Sequence, residues 1–186
     1  MIRVVFTFIF ILSSIGLVNF VDAQSLYNNP VVVFQTNLGD IVIELFVADA
    51  EEHVKNFIQL SNSKYYDGTL FHRIIPGFMI QGGDPNTKTN NKGSWGMGGP
   101  GYNIKAEFSS RSHLRGIVSM ARSSDPNSAG SQFFIVTSDS AFLDREYTVF
   151  GQVTEGMDIA DKIVKVQRDR NDCPLEKVEM IRVTLE

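Results

Sequence analysis

The sequence predicts a single β-dominated domain, a closed antiparallel sheet with two α-helical covers. Three observations carry this. A chain of 186 residues is short for two domains and ample for one with a sizeable core. Short β-rich runs separated by turn residues recur along it, and only two stretches show helical periodicity. That pattern fits a sheet closed on itself and capped by helices, although pattern alone does not separate a barrel from a sandwich.

The elements follow in order. Arg3 precedes an apolar stretch from Val4 to Leu12, which Ser13, Ser14 and Gly16 loosen, and Val21-Asp22-Ala23 sets small or apolar residues before Gln24. This is the layout of a secretory signal peptide over residues 1–23, leaving a domain over 24–186. The competing reading is an uncleaved anchor, since Val4 to Val21 reaches the lower limit of a membrane span, roughly 17 residues; Asn19, the serines and the glycine weigh against it. Val31–Phe34 and Ile41–Leu45 flank the turn-bearing Thr36–Asp40 and read as a hairpin. Ala50–Ser61 reads as a helix, with Val54, Phe57, Ile58 and Ser61 on one face. Asp67-Gly68 is a turn. Strands are expected at Thr69–Ile75, Met79–Gln81, Gly116–Met120, Gln132–Thr137, Thr148–Gln152 and Met180–Leu185. Met157–Val166 is expected as a second helix, striped by Ile159, Ala160, Ile163 and Val164.

Composition excludes several functions. The chain is 43% hydrophobic and 20% charged, as globular proteins are. Its net charge of −4 and lack of a basic run argue against nucleic-acid binding. The single cysteine, Cys173, precludes an intrachain disulfide and reads as a free loop thiol. His53, His72 and His113 are scattered without metal-ligand spacing, so no metal is expected. Gly96, Gly98 and Gly101 satisfy G-x-G-x-x-G, but the polar stretch Asn86–Lys92 precedes them instead of a strand and no helix opens after them; a surface loop is the reading, and no cofactor is expected. Ser131 lies in Ala-Gly-Ser-Gln rather than in a nucleophile elbow, so a hydrolase has no supporting constellation.

Three segments stand apart: Phe71-His72-Arg73-Ile74-Ile75-Pro76-Gly77-Phe78-Met79-Ile80-Gln81-Gly82-Gly83-Asp84; Ser119-Met120-Ala121 with Gly130-Ser131-Gln132-Phe133-Phe134-Ile135; and Phe142-Leu143-Asp144 with Tyr147-Thr148-Val149-Phe150-Gly151. In this order and spacing they resemble the cyclophilin family of peptidyl-prolyl cis/trans isomerases, over essentially the whole chain from Val31. The resemblance implies a closed eight-stranded antiparallel β-barrel capped by two helices. It implies acceleration of X-Pro rotation without a cofactor, assisting protein folding, and the signal-like segment sets that work in proteins outside the cytoplasm. The stretch from Gly93 to Phe108 looks more like prokaryotic members.

The resemblance also implies roles. Arg73 is the expected catalytic residue, hydrogen-bonding the proline nitrogen or adjacent carbonyl as the bond twists. Phe78, Met79, Phe134 and Leu143 are expected around the proline ring, and Gln81, Gln132 and the Ala121 backbone along the substrate chain. Two positions depart from the family pattern. Phe142 stands where a tryptophan is usual, which removes an indole donor and predicts weakened binding of cyclosporin-type ligands. Tyr147 stands where a histidine is usual and predicts an altered substrate preference. Arg122, where a smaller polar residue is common, is expected to favour acidic residues near the proline. The expected partners are proline-containing polypeptides, bound by a monomer with no membrane contact once the signal is removed. The alternatives are a non-catalytic proline-segment binding module and a general holdase chaperone.

Overall fold

In the computed structural model, which describes residues 29–186, β1 (Val31–Thr36) and β2 (Gly39–Leu45) pair as the anticipated hairpin. Val32, Phe34, Ile41, Ile43 and Leu45 point inward, and their neighbours along the strands are more exposed, the period-two pattern of a strand with one face on a core. Thr36 fixes the turn: its hydroxyl donates to the Gly39 carbonyl at 2.6 Å and accepts the Leu38 N–H at 3.1 Å. The expected signal segment lies outside the described residues.

Helix α1 (Glu51–Asn62) follows, within a residue of its expected bounds. It buries Val54, Phe57 and Leu60 against the sheet. Ala50 cannot cap its first turn with a side chain. The Glu107 carboxylate does so from a distant loop, accepting the N–H groups of Glu52 and His53 at 3.2 and 3.0 Å. The remaining elements are β3 (Thr69–Leu70), β4 (Arg73–Ile75), β5 (Met79–Gly82), β6 (Ile117–Met120), β7 (Phe133–Val136), β8 (Val149–Glu155), α2 (Met157–Val164) and β9 (Glu179–Leu185). Short 3₁₀ turns at Pro85–Lys88, Lys92–Ser94 and Ala141–Leu143 were not anticipated. Helix α2 buries the stripe Ile159, Ala160, Ile163 and Val164 and ends two residues before its expected limit.

Among the described residues the nine strands make one antiparallel sheet in the order β3-β9-β1-β2-β8-β6-β7-β5-β4. This corrects the expected closed eight-stranded barrel: the sheet is curled, and its end strands β3 and β4 share no ladder. The reason lies in Thr69–Ile75, which the sequence suggests is one strand. It breaks at Phe71-His72. The Phe71 N–H bonds the Val178 carbonyl at 2.9 Å on one end of the sheet, and the His72 N–H bonds the Gln81 carbonyl at 3.0 Å on the other. The chain itself spans the gap that a ladder would close.

The alternation along the strands sends side chains to two apolar clusters. Ile80, Val118, Met120, Phe133, Ile135 and Phe150 join the main core with Phe34, Phe57, Tyr66 and Phe71. Met79, Ile117, Phe134, Val136 and Val149 point the other way, into a smaller cluster with Phe46 and Leu143. Both faces of β7 are therefore covered, which is why Phe133-Phe134-Ile135-Val136 is a continuous apolar run rather than an alternating one. The smaller cluster is the floor of the candidate site.

Candidate active site

Register positions the polar side of the site. Arg73 on β4 lies opposite Gln81 on β5, and Gln81 lies opposite Phe134 on β7. The Arg73 Nη1 donates to Gln81 Oε1 at 3.3 Å. Gln81 Nε2 donates to Gln132 Oε1 at 3.0 Å, and Gln132 Nε2 donates to the carbonyls of Gly96 and Gly98 at 3.0 and 2.8 Å. Every donor in this chain meets an acceptor in the same direction, so the exposed guanidinium is aimed by a polarised relay anchored in the glycine-rich loop. That loop is at the surface, as expected, but two of its carbonyls are part of the site.

Beside this relay opens a cleft of about 370 Å³. Its walls are Arg73, Phe78, Met79, Gln81, Ala121, Arg122, Phe134, Phe142, Leu143 and Tyr147. Ten of the residues singled out from the sequence thus surround one concavity, and Gln132 lines the groove next to it, of about 730 Å³. Met79, Phe134 and Leu143 are buried and form the floor, while Phe78 and Tyr147 are half-exposed at the rim. The Phe142 ring is 72% exposed and leans on Phe78 at 5.4 Å between centroids. Tyr147 meets Phe134 edge-on at 5.7 Å. The result is an apolar slot with one cationic edge, suited to a small hydrophobic ring attached to a polar backbone.

Two expectations are narrowed by the geometry. The Ala121 N–H is bonded to the Gln132 carbonyl at 2.9 Å, so of its backbone groups the carbonyl remains to meet a bound chain. Arg122 lines the cleft, but its side chain is only 14% exposed and its donors are engaged within the protein. They reach the carbonyls of Glu146, Ser123 and Ser124 and the Glu146 carboxylate, while the guanidinium lies 4.6 Å from the Tyr147 ring centroid. Arg122 is thus a clamp on Tyr147 rather than an open cation.

Under the floor sits a group that sequence reasoning passed over. The fully buried His113 ring stacks on Phe134 and meets Tyr147 edge-on. Its Nδ1 is 3.0 Å from Asp144 Oδ1 and its Nε2 is 3.1 Å from Ser119 Oγ, which donates on to the Thr148 carbonyl at 2.8 Å. Burial pushes the His113 pKa down, opposed by Asp144. The His113 backbone N–H, followed by its ring, holds the Asp144 carboxyl below its usual range. Ser119 and Asp144 stand inside the motifs Ser-Met-Ala and Phe-Leu-Asp, which was the available signal; nothing in the sequence joined them to His113. Ser131, the other residue of chemical interest, is buried and donates to the Gly83 carbonyl at 2.8 Å.

Comparison with known proteins places the chain among relatives of one family. Residues 31–185 match the family described as cyclophilin type peptidyl-prolyl cis-trans isomerase/CLD. The chain is 44% identical to a peptidyl-prolyl cis-trans isomerase of Arabidopsis thaliana, over 83% of this chain and 94% of that protein. It is 41% identical to a probable peptidyl-prolyl cis-trans isomerase of Brucella suis, over 95% of this chain and 92% of that one. The crystal structure of a Cryptosporidium parvum cyclophilin-type isomerase superposes with a TM-score of 0.78 at 34% identity, covering 85% of this chain and 98% of that chain. A second structure of that protein, determined in the presence of the dipeptide Ala-Pro, gives 0.77 at 35% identity, covering 84% and 98%.

Proposed function

The chain belongs to the family of cyclophilin-type peptidyl-prolyl cis/trans isomerases, and from that premise we propose that it turns X-Pro bonds in the cleft beside Arg73, with proline-containing polypeptides as substrates. The observation that carries this reading is the pairing of a cleft floored by Met79, Phe134 and Leu143 with a guanidinium held at its edge by the Gln81–Gln132 relay.

The chemistry needs little else. Rotation about a peptide bond has a barrier of roughly 18–20 kcal/mol because it breaks amide resonance. X-Pro bonds exchange unaided over tens to hundreds of seconds. In the twisted state the proline nitrogen regains its lone pair, so a catalyst need only bind that state better than either planar one. Arg73 is charged at any ordinary pH and offers donors in fixed geometry. In our reading it donates to the nitrogen or adjacent carbonyl as the bond twists. A well-placed donor of this kind is worth about 2.7–4 kcal/mol, or 10²–10³ in rate. Met79, Phe134 and Leu143 grip the proline ring so that the preceding carbonyl does the turning. The Ala121 carbonyl and Gln81 align the chain. No nucleophile, proton transfer or cofactor enters this scheme.

We further read the protein as a secreted folding factor of prokaryotic type, acting as a monomer outside the cytoplasm. The signal-like segment and the Gly93–Phe108 region support this. Two measurements test the proposal. Turnover of a short X-Pro peptide separates the isomerase from a binding module, which would bind the peptide without turning it over. Mass analysis of the protein recovered from a secretion-competent host should give an N-terminus at Gln24; an intact N-terminus in the membrane fraction would favour the anchor.

A further inference from the structure

A third concavity, of about 300 Å³, shares Arg73 and Gln81 with the apolar slot. It is lined by His72, Lys92, Trp95, Asp169, Asn171 and Cys173 in addition to the two shared residues and Gly96. His72 is 6% exposed, and neither ring nitrogen has a hydrogen-bond partner. The Leu70 carbonyl, the Gln132 side chain and the buried Asp84 oppose the lowering of its pKa by burial, yet none completes a well-formed bond to the ring. An unpartnered buried polar group is costly and signals a ligand or solvent partner.

The charges around it select the partner. Arg73 and Lys92 bring two cations to the walls, and Asn171 brings a neutral amide. Asp169, the carboxylate in the lining, accepts the N–H groups of Asn171 and Cys173 at 2.8 and 3.0 Å and also feels the charge of Lys92, which it offsets only in part because those two bonds hold it in its own loop. The neighbouring Asp172 is paired with Arg168 at 3.1 Å. A metal ion would meet two fixed cations and a thiol whose pKa burial has raised; a carboxylate would meet two cations, an amide and an imidazole against the single Asp169 carboxylate. We infer that this pocket is an accessory subsite that takes the side-chain carboxylate of an acidic residue in the substrate, near in sequence to the proline held in the slot. The inference rests on the isomerase reading above, because Arg73 and Gln81 are common to both concavities. It also moves any preference for acidic substrates from Arg122, whose donors are engaged, to Lys92 and His72.

The test is a peptide series assayed with the intact protein. A neutral X-Pro peptide is the reference, and Glu or Gln replaces one residue at each of three positions on either side of the proline. We expect at least one position where Glu is turned over about fivefold more efficiently than Gln, through KM. The advantage should shrink at high salt and fall towards one in Lys92→Gln. His72→Asn should reduce it as well; the surface substitution Lys92→Gln carries the test if the buried one unfolds the protein. A Glu/Gln ratio of one at every position overturns the subsite, as does a ratio that Lys92→Gln leaves unchanged, while turnover of the neutral peptide keeps the isomerase reading intact. No turnover of any peptide removes both.

Discussion

Phe142 is one of the ten residues that line the slot. Its ring is exposed at the rim and tilts against Phe78, so it covers apolar surface but offers no polar atom. Replacing it by tryptophan should keep the packing and add one N–H donor facing solvent. The expected outcome is that cyclosporin binds Phe142→Trp up to about tenfold more tightly than wild type, the worth of one added hydrogen bond. Titration of both proteins with the drug checks it; nanomolar inhibition of the wild type, or no gain in the variant, would contradict the role given to this position. Phe142 was legible because it stands in a motif. His113 was not, because its partners Ser119 and Asp144 are brought to it by the fold from two different motifs.

Strand β5 and the glycines that end it show the same logic for an element. Gly83 adopts φ +82°, and a Cβ there would run into the Ser131 carbonyl oxygen and lie 3.0 Å from the Phe133 ring. The close approach lets Ser131 and Gly83 hydrogen-bond between the end of β5 and the start of β7, just where Gln132 must point at Gln81. A left-handed conformation costs a non-glycine residue roughly 1–2 kcal/mol before any collision. Gly83→Ala should therefore lower the urea midpoint by at least that equivalent and weaken turnover through the Gln132 relay; an unchanged midpoint would mean the contact is not tight. The strand positions were readable from alternation and β-rich runs. The break at Phe71-His72 was not, since both residues suit a strand and only the two ends of the sheet dictate the switch. The loop from 83 to 116 was equally opaque. Its order comes from Asp84, which accepts the Asn86 and Gly96 N–H groups, and from Glu107, whose partners on α1 are more than 50 residues away.

At the scale of the molecule, buried titratable groups set a pH dependence. Burial lowers the pKa of His72 and of His113, so the unfolded chain binds protons more readily than the folded one below the ordinary histidine value of about 6.5. Stability therefore rises with pH through that window and is lost on acidification. The Asp144 and Glu107 carboxyls are held below their usual range by bonds to His113 and His53, despite the partial burial of Glu107. Their contribution is present above the ordinary carboxylate value of about 4 and is lost as pH falls further. All four groups act in the same direction. Urea midpoints should hold above about pH 7, fall between about 6.5 and 5, and fall again below about 4.5. A flat or rising midpoint on acidification would contradict this. The family and the two-helix β fold were visible from the joint motifs, while the open seam of the curled sheet was not, because closure depends on ladders that no local pattern encodes.

The central claim is that Arg73 stabilises the twisted bond and not the bound ground state. The measurement is X-Pro turnover and peptide affinity of the wild type beside Arg73→Ala. The account predicts rapid turnover by the wild type, a loss of about 10²–10³ in kcat in the variant, and a peptide Kd changed far less. Equal turnover by both proteins would contradict it and move the catalysis to the grip of Met79, Phe134 and Leu143 on the proline ring.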